Sequence, residues 1–219
     1  MKSVSLFALL LAVFVHCAWG GSYTLSDNFQ GTAFYDNFDF KTFDDPTQGY
    51  VTAPCAPACT MPATRQMTGF VNNNVCDHTD AADSGCSVRL AQGGLSYGPQ
   101  FNANGDGFYA MEQTNEFIKV WFWARGSRAT PAEVLSGSGS INTDNWGTPS
   151  AYFPNTDCDI ATHFNERNIV INLTFCGGYA GGEFNQDGCP GECNDYVRNN
   201  PEAFVNAYFE LLWVKVYEP

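Results

Sequence analysis

EFIKVWFWARG, residues 116–126, decides the fold. Its side chains alternate, so that Ile118, Val120 and Phe122 share one face of an extended strand while Lys119, Trp121, Trp123 and Arg125 share the other. Period two over this length, in β-branched and aromatic residues, predicts a strand with one apolar and one mixed face. The same reading applies to AFYDNFDFKTF (33–43), where Phe34, Phe38 and Phe40 share parity. NIVINLTF (168–175) and AYFELLWVKVYEP (207–219) are further strand-like runs. Between them NANGDG, SGSGS, NWGTPS and GGYAGG predict turns and long loops. The one helix expected is in NNPEAFVNAYFE, opened by Pro201 with Glu202 at its positive end. The predicted class is all-β: an antiparallel β-sandwich or jelly roll of the concanavalin-like kind, stapled by disulfides.

Composition agrees with one compact domain. The chain has 219 residues, 44% of them hydrophobic and 15% aromatic, and only 15% charged. That excludes a disordered chain or a coiled coil. A net charge of −13 argues against nucleic acid and anionic lipid as partners.

Lys2 is followed by an apolar run, VSLFALLLAVFV, and by HCAWG with small residues at Ala18 and Gly20. This is the pattern of a secretory leader, with cleavage expected after Gly20. The run is too short to span a bilayer, so no membrane attachment is expected after cleavage. The expected domains are therefore a leader, 1–20, and a single secreted, extracellular domain, 21–219. Loss of Cys17 with the leader leaves Cys55, Cys59, Cys76, Cys86, Cys158, Cys176, Cys189 and Cys193. An even number in an oxidising compartment predicts four disulfides, with on the order of a hundred possible connectivities. The Cys spacings are poor for zinc, and neither metal nor cofactor is expected. Asn172-Leu-Thr174 is a glycosylation sequon.

Aromatic rings stack on the apolar faces of sugars. Trp121 and Trp123 on the mixed face of their strand, with Trp146 and Tyr179 in Gly-rich loops, are the candidate carbohydrate contacts; the alternative role of each ring is core burial.

Longer blocks make the pattern specific. GFYAMEQTNEFIKVWFWARG, SGSINTDNWGTPSAYFPNTDCDI, HFNERNIVINLTFCGGYAG, CNDYVRNNPEAFVNAYFE and VKVY, together with the opening YTLSDNFQGTAFYDNFDFKTFDDPTQGYV, resemble the fungal secreted endo-1,3(4)-β-glucanases (laminarinases) of glycoside hydrolase family 16. The resemblance covers nearly all of residues 21–219. It implies a jelly roll with a glucan cleft on the concave sheet, a β-glucan polysaccharide partner, a monomer, and retaining hydrolysis.

The family's catalytic motif is E-x-D-x-x-E, in which the first Glu is the nucleophile, the Asp supports it and the last Glu is the acid/base. Retaining chemistry needs two carboxyl groups about 5–5.5 Å apart. No Glu here is followed two positions later by Asp. Relative to the family, Val51 runs through TAPCAPA directly into the Cys-rich loop, so the domain is incomplete, lacking its central catalytic strands near residues 51–59. No catalytic residue can be assigned, and the expected result is an inactive hydrolase; the alternative is a non-catalytic glucan- or wall-binding protein, or a defective fragment. A second departure is FCGGYAG, where Gly178 and Tyr179 replace the family's Asp-Trp pair.

Other carboxylates do not replace the pair. Glu112 and Glu116 would stand roughly 13 Å apart on a regular strand, and Thr114-Asn115 between them predicts a turn. Asp157 and Asp159, flanking Cys158, suit loop hydrogen bonds. Asp36 and Asp39 have opposite parity. His78 and His163 lack a recognisable nucleophile arrangement, and neither a GxSxG elbow nor a phosphate loop is present.

Overall fold

The computed structural model describes residues 6–7, 9–14, 21–37, 59–76, 85–164, 169, 171, 173 and 175–219. Its strands are β1 (Leu6–Phe7), β2 (Leu9–Phe14), β3 (Ser22–Gln30), β4 (Phe70–Asn73), β5 (Ser87–Arg89), β6 (Gly107–Gln113), β7 (Phe117–Ala124), β8 (Ser140–Asn142), β9 (Ala151–Pro154), β10 (Phe209–Glu210) and β11 (Trp213–Glu218). Seven of them form one sheet in the order β8-β3-β11-β2-β6-β7-β9. The fold is all-β and mostly antiparallel, as the alternation predicts.

The centre of the sheet follows the parity of residues 116–126. β6 and β7 pair antiparallel from Gly107 opposite Ala124 to Gln113 opposite Ile118, joined by the turn at Thr114–Glu116. Thr114 Oγ1 accepts from the N–H groups of Glu116 and Phe117 and fixes that turn. Phe122 meets Tyr109 at 4.7 Å and Phe101 at 6.2 Å between ring centroids. Trp121 and Trp123 project to the other side, into a cluster with Tyr23, Phe108, Trp146 and Trp213. Burial on both faces explains why β7 carries large apolar side chains at nearly every position.

At the other end of the chain, β3 pairs antiparallel with β11 from Gln30 opposite Trp213 to Thr24 opposite Glu218, with a register shift between Val216 and Tyr217. β8 lies outside β3. Between β11 and β6 runs β2, parallel to both and in register with Phe108–Gln113. Its residues are those the sequence reading assigns to the leader. A continuous apolar run has no intrinsic preference between leader and buried parallel strand, and here it satisfies backbone groups of β6 and β11 that would otherwise be edges.

Three local expectations are corrected. Residues 31–37 form a 3-10 turn, not the first part of a strand; Gly31, at φ +60°, swings the chain out of β3 before the Phe alternation can be used. GGYAGG falls within a helix, α4 (Gly177–Glu183), not a loop. A further helix, α5 (Cys193–Asn199), precedes the turn that Pro201 opens, and that turn is 3-10 over Pro201–Phe204. α4 and α5 are tied by the Cys176–Cys193 disulfide just at their N-termini. The strand expected in NIVINLTF is not formed at its described residues, Ile169, Ile171, Leu173 and Phe175, while the rest of that run, including Asn172, and the boundary near residues 51–58 lie outside the described residues.

Two more disulfides, Cys59–Cys158 and Cys76–Cys86, staple the Cys-rich loop. The former closes a separation of 99 residues and the latter one of 10. Cys189 has no disulfide partner among the described residues, and Cys55 lies outside them. Loop-closure entropy ranks the staples: replacing Cys59 and Cys158 by Ser is expected to cost about 5 kcal/mol, against about 3 for Cys76 and Cys86, as compared by chemical denaturation of the two double variants.

Candidate functional site

The strongest grouping of polar side chains lies inside the sheet, at Glu112. Alternation along β6 sends Phe108, Ala110 and Glu112 to the aromatic cluster's side, and the carboxylate ends up only 2% exposed. It is the one buried carboxylate among the described residues. Such a group needs compensating donors. The Tyr23 hydroxyl, from β3, donates to Oε1. Thr143 Oγ1, from the 3-10 turn after β8, donates to the same oxygen at 2.9 Å. Lys119, directly across the ladder on β7, brings its Nζ to 3.9 Å from Oε2, an oxygen with no hydrogen bond. The same ammonium lies 3.9 Å from the centroid of Phe117 and 5.9 Å from that of Trp121.

A second carboxylate, Glu133, stands on the helix α2 (Ala132–Ser136). Its Oε1 accepts from Trp146 Nε1 and, at 2.9 Å, from Asn142 N. A groove of about 290 Å³ runs beside it, lined by Ser22, Tyr23, Thr24, Ser140, Ile141 and Asn142. Both glutamates thus hold structural donors. Glu112 is closed off from solvent, whereas Glu133 is half-buried and itself lines the groove.

The predicted sugar-contacting rings are brought together, but in the core. Trp121, Trp123 and Trp146 are 2%, 7% and 5% exposed. Trp146 stands edge-on to the other two at 5.3 and 5.5 Å, and Trp121 Nε1 donates to Gly147 O at 3.2 Å. In this arrangement the rings have no open face on which a sugar could stack. The mixed face of β7 is mixed because Lys119 serves Glu112, not because it faces solvent. Tyr179 lies on α4, away in sequence from this cluster.

Of the remaining candidates, Glu116 is exposed in the β6–β7 turn. Asp159 caps the short helix α3 (Ile160–His163), its Oδ1 accepting from Ala161 N at 3.2 Å, as expected for a loop role. His78 lies outside the described residues. A ring nitrogen of His163 comes within 4.8 Å of the sulfurs of Cys59 and Cys158, which are already joined as a disulfide and so offer no thiolate to a metal.

Sequence reasoning missed Tyr23 and Thr143 as partners of Glu112. Their separations from it, 89 and 31 residues, leave no local signal. The parity of Glu112 with Phe108 and Ala110 was the available clue.

Burial also governs titration. Desolvation pushes the hydroxyls of Tyr109 and Tyr217 up to about 12; the Glu133 charge adds to the rise at Tyr217. Tyr23 is raised further, first by burial and then by donating to Glu112. These phenols hold their protons more tightly in the folded state.

Comparison with known proteins places the chain. Residues 40–217 match the family model described as XgeA-like, catalytic GH16 domain. A protein described as a probable glycosidase from Schizosaccharomyces pombe is 35% identical over 204 residues, covering 91% of this chain and 47% of that protein. A probable endo-1,3(4)-beta-glucanase of Aspergillus clavatus is 38% identical over 170 residues, 74% of this chain and 25% of its own length. The chain thus spans about half, or less, of these curated relatives. Among solved structures, GH16 laminarinase 16A from Phanerochaete chrysosporium, with beta-glucans in donor and acceptor sites, is 42% identical with a TM-score of 0.70, over 98% of this chain and 70% of that one.

Two outcomes follow from the buried network. Glu112→Ala leaves the Tyr23 hydroxyl without its acceptor and is expected to cost about 2–4 kcal/mol in denaturant unfolding, whereas Glu112→Gln, which keeps an acceptor oxygen, costs clearly less. Because the raised tyrosines favour the folded state while protonated, their stabilisation is intact below about pH 10 and is lost as pH climbs through about 12. A thermal-melt series paired with tyrosinate absorbance should show both changes in that window.

Proposed function

This chain belongs to glycoside hydrolase family 16, and we propose that it is a secreted, β-1,3(4)-glucan-directed member that lacks hydrolytic activity. Support for the substrate class comes from the glucanase and laminarinase relatives. Support for secretion comes from the leader pattern at residues 1–20, with cleavage after Gly20.

One observation carries the claim of inactivity: the buried carboxylate of the sheet, Glu112, is committed to Tyr23 and Thr143 inside an aromatic core, and the sequence has no E-x-D-x-x-E in which a retaining pair could reside. Retaining hydrolysis requires one carboxylate to attack the anomeric carbon while its partner protonates the leaving oxygen. Glu112 and Glu133 hold backbone, phenol and indole donors instead. The relatives are longer than this chain, and the family resemblance implies that the segment bearing the catalytic motif is lost near residues 51–59, where the sequence reads VTAPCAPAC.

A defective-fragment reading draws on the apolar side chains left in solvent. Leu135, Val205 and Leu212 are 54–69% exposed, as expected where a jelly roll has lost neighbouring strands.

The purified secreted protein, incubated with laminarin and lichenan, should release no reducing ends above a heat-treated control, and should co-sediment with insoluble β-glucan. Hydrolysis above background would refute inactivity. Clean secretion without glucan retention would refute the binding role, and absence of a secreted product would leave the fragment reading in its place.

A further inference from the structure

Gly21 is held more tightly than a residue near a chain end requires. It is buried. Its carbonyl accepts from Thr143 N at 2.7 Å, and its own N–H donates to Asp144 Oδ2 at 3.3 Å. A Cβ at this position would come within 2.4 Å of Thr143 Oγ1 and 2.9 Å of Asp144 Oδ1, so the close approach is available to glycine. The turn that receives it, Thr143–Asn145, is itself fixed by Asn142 Oδ1, which accepts from Asp144 N at 3.0 Å.

While the leader is attached, Gly21 N is a neutral amide with one hydrogen. Hydrolysis of the Gly20–Gly21 bond by a leader peptidase adds one water, breaks the C–N bond, leaves a carboxylate on Gly20 and gives Gly21 an amine. At neutral pH that amine is largely protonated. The positive charge then forms at an atom already directed at a carboxylate oxygen.

We propose that removal of the leader after Gly20 creates an ion pair between the Gly21 α-ammonium and Asp144, fastening the start of β3 to the turn after β8. The surroundings favour a cation. Glu112 lies one side chain away through Thr143, whose hydroxyl is 2.9 Å from Glu112 Oε1 and 3.3 Å from Gly21 O. Glu133 approaches Asn142 from α2, and the neighbouring Tyr23 hydroxyl is neutral, its proton directed at Glu112. The nearby cation, Lys119, is directed at Glu112 Oε2. Asp144 is exposed, so the pair is modest in strength and weakened by salt.

The inference rests on the secretory reading, in which β1 and β2 leave with the leader and the β8–β3–β11 pairing and the Glu112 network hold Gly21 in place, and the test separates the two. The N-terminus of the protein recovered from culture medium is sequenced first. Asp144→Asn, which keeps an acceptor oxygen but removes the charge, is then melted both in that product and in the full chain made without export. The expected result is a Gly21 start, a fall of about 2 °C in Tm in the secreted product that shrinks in 0.5 M salt, and no change in the full chain. Titration of the α-amino group by NMR should give a pKa above the usual value of about 8, returning to it in the variant. A start other than Gly21 overturns both readings. A Gly21 start with equal Asp144→Asn effects in the two chains, an ordinary α-amino titration, or a Gly21 product that does not fold overturns the ion pair alone.

Discussion

A carboxylate in an aromatic core constrains everything around it. Glu112 sits where parity along β6 demands an apolar side chain, and it stays there because Tyr23, Thr143 and Lys119 converge on it from three other segments. The strands β3 and β7 and the turn after β8 must therefore be placed within a few tenths of an ångström to satisfy one side chain. Apolar packing alone tolerates slippage more readily than a buried charge does. The network thus acts as a registration point for the sheet, and the Trp121–Trp146–Trp123 cluster is packed beside it.

This arrangement also separates ancestry from chemistry. Family 16 membership gives the chain a family and a fold, yet the acidic side chain that its sheet buries holds strands together. A shared fold carries no reaction by itself; the reaction depends on carboxylates of stated spacing at an accessible face.

Much of the fold was legible because β strands advertise themselves by period. Residues 117–124 and 213–218 read correctly, and so did the turn at Thr114-Asn115. The helices α4 and α5 were not legible, because GGYAGG has the composition of a loop and the Cys176–Cys193 pairing that ties the two N-termini leaves no local signal. At the candidate site the alternation placed Trp121 and Trp123 together on one face of β7, but that face lies in the core rather than on a sugar-binding surface. It could not say that a second layer, with Val134 of α2 and Trp146, covers that face, since covering is a long-range fact. The 3-10 turn at 31–37 went unread for a simpler reason: a positive backbone angle at Gly31 leaves no periodic signal in the sequence.

The pairing of β3 with β11 has a further consequence for biosynthesis. Thr24 lies opposite Glu218, so the start of β3 meets a residue far along the chain. Contacts of such sequence separation are slow to form, since the intervening loop must be closed first. In the sheet β3 lies between β8 and β11, and its β11 edge stays open until residues 213–218 have been made. An open strand edge invites pairing with other chains, so aggregation competes with folding throughout that interval.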